Sequence, residues 1–127
     1  MKYIVESNKP FEQAVADLEV SAVKNKFGVL HIHDLQTTLR NKGIDFPQPC
    51  KILEVCNPQI ANEVLQEDIS LNMALPCRIS VWVENGKTKI GMLSPKTILS
   101  LMSDSDALAE MATEVEETAK RIIDEAI

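Results

Sequence analysis

Cys56 closes the apolar run "KILEVC" and is followed at once by Asn57 and Pro58. Asparagine caps helices and proline opens them, so Cys56 is expected just outside a helix N-terminus. The partial positive charge at such an end lowers a thiol pKa and favours the nucleophilic thiolate. Glu54 works against this. It lies on the same strand face, roughly 6–7 Å away, and a nearby carboxylate disfavours a second negative charge. No histidine is next to Cys56 in sequence to serve as its base. The alternatives are a reactive thiol and a small buried side chain that fits a strand end.

Cys50 shares the face of Cys56, but six residues of extended chain span about 20 Å, too far for one disulfide or one metal ion. Cys77, in "LPC", is different. It follows Cys56 after a helix-length connection and starts the next strand. An antiparallel arrangement of the two strands brings both cysteines to one end of the sheet, and a parallel crossover separates them. A Cys56–Cys77 redox pair or metal site therefore depends on topology.

His31 and His33 are the only histidines. On a strand, His-Ile-His places both imidazoles on one face, as in some zinc sites that take a third ligand from elsewhere. Asp34 points to the other face and is a poor third ligand. The alternative is a pair of solvent-facing histidines on an edge strand. Zinc is thus the one cofactor with any sequence support.

Trp82, the single tryptophan, falls on the strand face of Arg78, Ser80 and Glu84, away from Ile79 and Val81. A large aromatic outside the main core marks an interface or a ligand groove unless a helix or loop covers it. Glu110, Glu114 and Glu117 form a row at helical spacing, without the Glu-x-x-His pattern of carboxylate metal sites, and read as a solvated face. Asp124 and Glu125 oppose the dipole at the end of their helix, which suggests a basic partner, in this chain or in another subunit. There is no Gly-x-Gly-x-x-Gly, Walker loop, Cys-x-x-Cys or Gly-x-Ser-x-Gly, so the usual phosphate-cradling and nucleophile-elbow chemistries are excluded.

These side chains need a scaffold, and the periodicities supply one. Residues 2–6 read as a strand. A helix follows, with Pro10 at its first position and Phe11, Ala14, Val15, Leu18 and Ala22 as its buried stripe. "VLHIHDL" is the second strand. A short helix over 34–43 runs from an Asp34 cap to a Gly43 stop. "CKILEV" is the third strand, and a helix of about ten residues opens at Pro58 and ends near Asp68. Asn85-Gly86 between two alternating runs predicts a type I′ hairpin pairing Glu84 with Lys87, Val83 with Thr88, Trp82 with Lys89 and Val81 with Ile90. Ser94-Pro95 starts a short helix. A long helix begins near Asp104, with Leu108, Met111, Ala112, Val115, Ala119, Ile122, Ile123 and Ala126 as its stripe. The order β-α-β-α-β-α-β-β-α-α predicts an α+β fold, a mixed or antiparallel sheet of about five strands with helices laid on one face.

At 127 residues the chain is expected to form a single domain over 1–127. The three cysteines, an odd number, do not read as a secreted disulfide framework, and "MKYIVESNKP" does not read as a secretory signal. The expected location is the cytoplasm. The net charge of −6 comes wholly from residues 104–127, where eight acids meet only Lys120 and Arg121. No basic patch is visible for nucleic acid, an anionic membrane surface would repel this chain, and no apolar run approaches the roughly 20 residues that span a bilayer.

Taken together, "KPFEQAVADLE", "FGVLHIHDLQTTLRNKGIDFP", "KILEVCNPQIANEVL", "LPCRISVWVENGKTKIG" and "LSPKTILSLM" resemble the domain of unknown function 302 family over residues 2–127. Cys56-Asn57-Pro58 and Leu75-Pro76-Cys77 carry the resemblance most specifically, supported by Asp34-Leu35-Gln36 with Thr38-Leu39. The resemblance implies an α+β fold similar to the TATA-binding-protein architecture and no settled activity or substrate. It singles out Cys56, Asn57, Pro58, Pro76 and Cys77. Cys50 and Glu54 depart from the family's more usual aromatic and small residues.

No catalytic constellation emerges. The expected function is a non-catalytic binding or assembly module, forming a homodimer through the Trp82 face or the last helix. Asn57 and Trp82 are its ligand or interface candidates. The alternative is thiol- or metal-dependent chemistry centred on Cys56 and Cys77.

Overall fold

A computed structural model describes residues 1–127. Its five strands are β1 (Lys2–Ser7), β2 (Gly28–Asp34), β3 (Cys50–Cys56), β4 (Cys77–Glu84) and β5 (Lys87–Leu93). They form one sheet in the order β1-β5-β4-β3-β2, and every neighbouring pair is antiparallel. That decides between the mixed and antiparallel alternatives. The hairpin register is the one expected from Asn85-Gly86. Both turn residues adopt the left-handed backbone that a type I′ turn requires, Asn85 at φ 52° and Gly86 at φ 74°.

The helices are α1 (Phe11–Lys24), α2 (Leu35–Asn41), α3 (Pro58–Glu67), α4 (Pro95–Met102) and α5 (Asp106–Ala126). Side-chain caps set their starts. Asp34, Asn57, Ser94 and Ser105 each accept from a backbone N–H three residues on. Two boundaries differ from expectation. Pro10 is not the first helical residue: its backbone is extended at ψ 153°, and its carbonyl accepts from Ala14 N at 2.9 Å. The last helix starts at Asp106 rather than near Asp104, because Ser105 is the residue that caps it. A 3-10 segment over Ile69–Ala74, unforeseen in the sequence, links α3 to β4.

Alternation along the strands decides which residues are buried. Leu53, Val55, Ile79, Val81, Ile90 and Met92 face α1 and α5 and are buried with Leu18, Val115, Ile122 and Ile123 in one apolar cluster. A second, smaller cluster joins Val64, Leu71, Leu99, Leu108 and Ala112, where α3, the 3-10 segment and α4 meet the first half of α5. The tail of α5 is fastened from within the chain. Ser21 Oγ donates to the Ile122 carbonyl at 2.7 Å, Lys9 Nζ donates to the Ala126 carbonyl at 2.9 Å, and the Tyr3 hydroxyl donates to Asp124. Glu125 accepts from Asn25 and pairs with Lys24 at 3.6 Å, so the acids at this end have partners within this chain. No helix is long and apolar enough to cross a membrane.

Candidate functional site

The hairpin does not stay zipped. Pairing between β4 and β5 runs from Glu84–Lys87 to Ser80–Gly91 and stops there, although β4 continues back to Cys77 and β5 continues to Leu93. Each strand keeps its other neighbour. β3 pairs with β4 as far as Val55–Cys77, and β1 pairs with β5 as far as Lys2–Leu93. The sheet therefore forks. Cys77, Arg78 and Ile79 lie on one prong, Met92 and Leu93 on the other.

A cavity of about 480 Å³ lies at this fork, at the junction of the two apolar clusters. Its lining is chiefly hydrophobic and comes from both faces of the sheet. Val55, Ile79 and Met92 belong to the helix side, and Ile52, Ser80 and Leu93 to the open side. Met73 and Ala74 of the 3-10 segment and Ile98 and Leu99 of α4 close it beyond the strands. Arg78 is the only charged side chain in the lining.

Cys56, Asn57 and Cys77 all line this cavity. The antiparallel pairing does bring the two cysteines to one end of the sheet, since Cys77 sits opposite Val55, one residue before Cys56. That single-residue offset puts their side chains on opposite faces, where a disulfide cannot close without backbone movement. All three cysteines are free. Burial pushes the Cys77 thiol up to about 11, with the neighbouring Cys56 adding to the shift. Burial also raises the Cys56 thiol. With both thiols raised by burial, both groups rest protonated at neutral pH. Asn57 spends its side-chain oxygen on the Ile60 N–H at 3.1 Å. Cys50 stands apart at the other end of β3, opposite Trp82, its thiol also raised by burial and by Asp34.

The remaining candidates occupy the open face. A bulge between Val29 and His31 turns His31 to face Glu54 and His33 to face Ile52. The two imidazoles meet edge to face with centroids 4.4 Å apart, and His33 Nε2 hydrogen-bonds Glu54. That bond holds the Glu54 carboxyl below the usual carboxylate range. No group of three His, Cys, Asp or Glu side chains is arranged to hold a metal ion, and Asp34 is engaged as a helix cap.

Trp82 is half-buried on the open face. Its ring rests on Gly91, where an added Cβ would sit 3.1 Å from Trp82 Cη2 and 3.0 Å from Ile4 Cγ1. Trp82 Nε1 donates to Glu84 at 3.1 Å. The room that Gly91 leaves is thus filled by the tryptophan itself, and Trp82 takes no part in the cavity. Arg78, Met73 and Met92 are lining residues that sequence reasoning missed. A lone arginine in an otherwise apolar strand end was the available signal for Arg78. The fork itself has none, since the alternating pattern continues through it.

The family described as "Domain of unknown function DUF302" has a model that matches residues 3–126. Among solved structures, the chain resembles the crystal structure of an uncharacterized conserved protein, DUF302, from Bacillus stearothermophilus. The identity is 37%, the TM-score 0.94, and the match covers 99% of this chain and 98% of that one. No curated protein matches the sequence.

Proposed function

The chain belongs to the domain of unknown function 302 family, and from that premise we propose that it is a non-catalytic binding module that holds a small apolar ligand in the cavity at the fork. The cavity carries this reading. Its volume of about 480 Å³ falls in the roughly 300–1,000 Å³ range of small-molecule sites, which are mostly apolar with a few placed polar groups. Titration with N-phenyl-1-naphthylamine, an uncharged apolar fluorophore, tests it. The expected result is a saturable, blue-shifted signal at one probe per chain, weakened at least severalfold by Ala74→Trp, which fills the space. An absent or unsaturable signal, or one indifferent to Ala74→Trp, overturns the reading.

Assembly with a second copy is the other part of the proposal, and the open sheet face supports it. Trp82 lies there half-buried with its ring near Ile4 over Gly91, and Ile4 and Leu93 on the same face are 47% and 51% exposed. Such an apolar patch on a sheet face suits a two-fold contact. A wild-type dimer in sedimentation that Trp82→Glu dissociates supports this, and a monomeric wild type refutes it.

The alternative of thiol- or metal-dependent chemistry at Cys56 and Cys77 is disfavoured by the raised pKa of both groups. It regains force only if Cys56 alkylates rapidly below about pH 8, under the roughly 8.5 of an ordinary thiol.

A further inference from the structure

Arg78 has a position unlike that of any other cation in the chain. It sits on the unzipped part of β4, exposed, at the open-face edge of an otherwise uncharged cavity. It makes no ion pair and no side-chain hydrogen bond. Glu54 lies opposite it in the ladder and feels its charge, but that carboxylate hydrogen-bonds His33 and makes no direct ion pair with Arg78. We propose that the cavity takes a hydrophobic carboxylate, an apolar chain inserted into the fork with its single anionic group at the Arg78 guanidinium.

The inference rests on the apolar-ligand reading and adds the head group. A cavity of about 480 Å³ lined by Val55, Ile79, Met92 and Leu99 fits an aliphatic chain. It leaves one feature of that lining without a role, the unpaired guanidinium. Arginine presents a planar fork of donors that matches a carboxylate in two parallel hydrogen bonds. Glu54, opposite on the same open face, is hydrogen-bonded to His33 and within reach of Arg78's charge only at a distance, so an incoming carboxylate displaces no direct contact at Arg78.

The experiment is calorimetric titration at pH 8 with decanoate, decan-1-ol and decyl phosphate, each below its aggregation limit, against the wild type and Arg78→Gln. Arg78 is exposed, and thermal melts of the variant report whether the fold is kept. Decanoate is expected to bind the wild type on the order of tenfold more tightly than decanol, the scale of one charge-assisted contact. In Arg78→Gln that preference disappears while decanol still binds. Equal binding of acid and alcohol by the wild type, or a preference that survives Arg78→Gln, overturns the inference and leaves the apolar-ligand reading standing. Tighter binding of decyl phosphate than of decanoate overturns the carboxylate assignment. Binding of none of the three overturns both readings.

Discussion

The two ends of the β4–β5 hairpin have similar alternating sequences and opposite fates. At the turn end, Trp82 and Lys89, Val81 and Ile90 are paired, Gly91 admits the Trp82 ring, and the helix side is filled by core. At the other end the same strands part, each held by a different neighbour, and α3, the 3-10 segment and α4 frame a cavity instead of closing it. The closed end shows what this sequence does when packing alone is served. The forked end leaves packing incomplete, and incomplete packing beside a lone cation is the pattern of a binding site.

Substitutions at the two ends should therefore not cost the same. Ile90 is fully buried at the closed end, and Ile90→Ala should lower unfolding free energy by about 3–4 kcal/mol in chemical denaturation. Met92→Ala, beside the existing cavity, should cost about 2 kcal/mol, the low end for such truncations. Equal costs would break the comparison.

Alkaline pH probes the forked end through Cys77, with Cys77→Ala as the control that isolates it from the other alkaline groups. Cys77 titrates near 11 in the folded chain, above its unfolded value. Below about pH 8.5 both states keep the proton and the full contribution is present. As pH rises to about 11 the unfolded state ionises first, and stability falls by roughly 2–3 kcal/mol. Denaturation midpoints across this range should show the fall in the wild type, and a smaller one in Cys77→Ala.

Adding atoms gives the smaller effects, with opposite signs. Gly91→Ala sets a Cβ 3.0 Å from the Tyr3 carbonyl oxygen, which is backbone and cannot step aside, so it should cost about 1 kcal/mol. Ala74→Leu reaches into the cavity and should gain roughly 0.5 kcal/mol, as cavity-filling changes commonly do. Thermal melts of the two variants are the check, and two losses would mean that the fork has no room to fill.

Much of this was legible in the sequence, for local reasons. Asn85-Gly86 dictates its own turn, and with it the register and the face of Trp82. Asn57-Pro58 and Ser94-Pro95 announce helix starts because capping is a three-residue affair. Cys56, Asn57 and Cys77 were singled out, and all three line the one cavity. The cavity was not legible. Its walls come from residues as distant as Phe27 and Ala119, and the parting of β4 from β5 is imposed by what β3 and β1 hold. The choice between a reactive and an inert Cys56 stayed open in the sequence for a related reason. Helix polarity and a nearby carboxylate can be read from spacing, whereas the burial that raises the thiol depends on the whole fold.

The central claim is that the fork encloses a ligand site, and the methionines offer the most direct view of it. Met73 and Met92 line the cavity, while Met1, Met102 and Met111 do not. Methyl NMR of methionine-labelled protein titrated with decan-1-ol should therefore shift the Met73 and Met92 signals saturably and leave the other three near their starting positions. No shift at Met73 and Met92, or an equal drift of all five, would contradict the account.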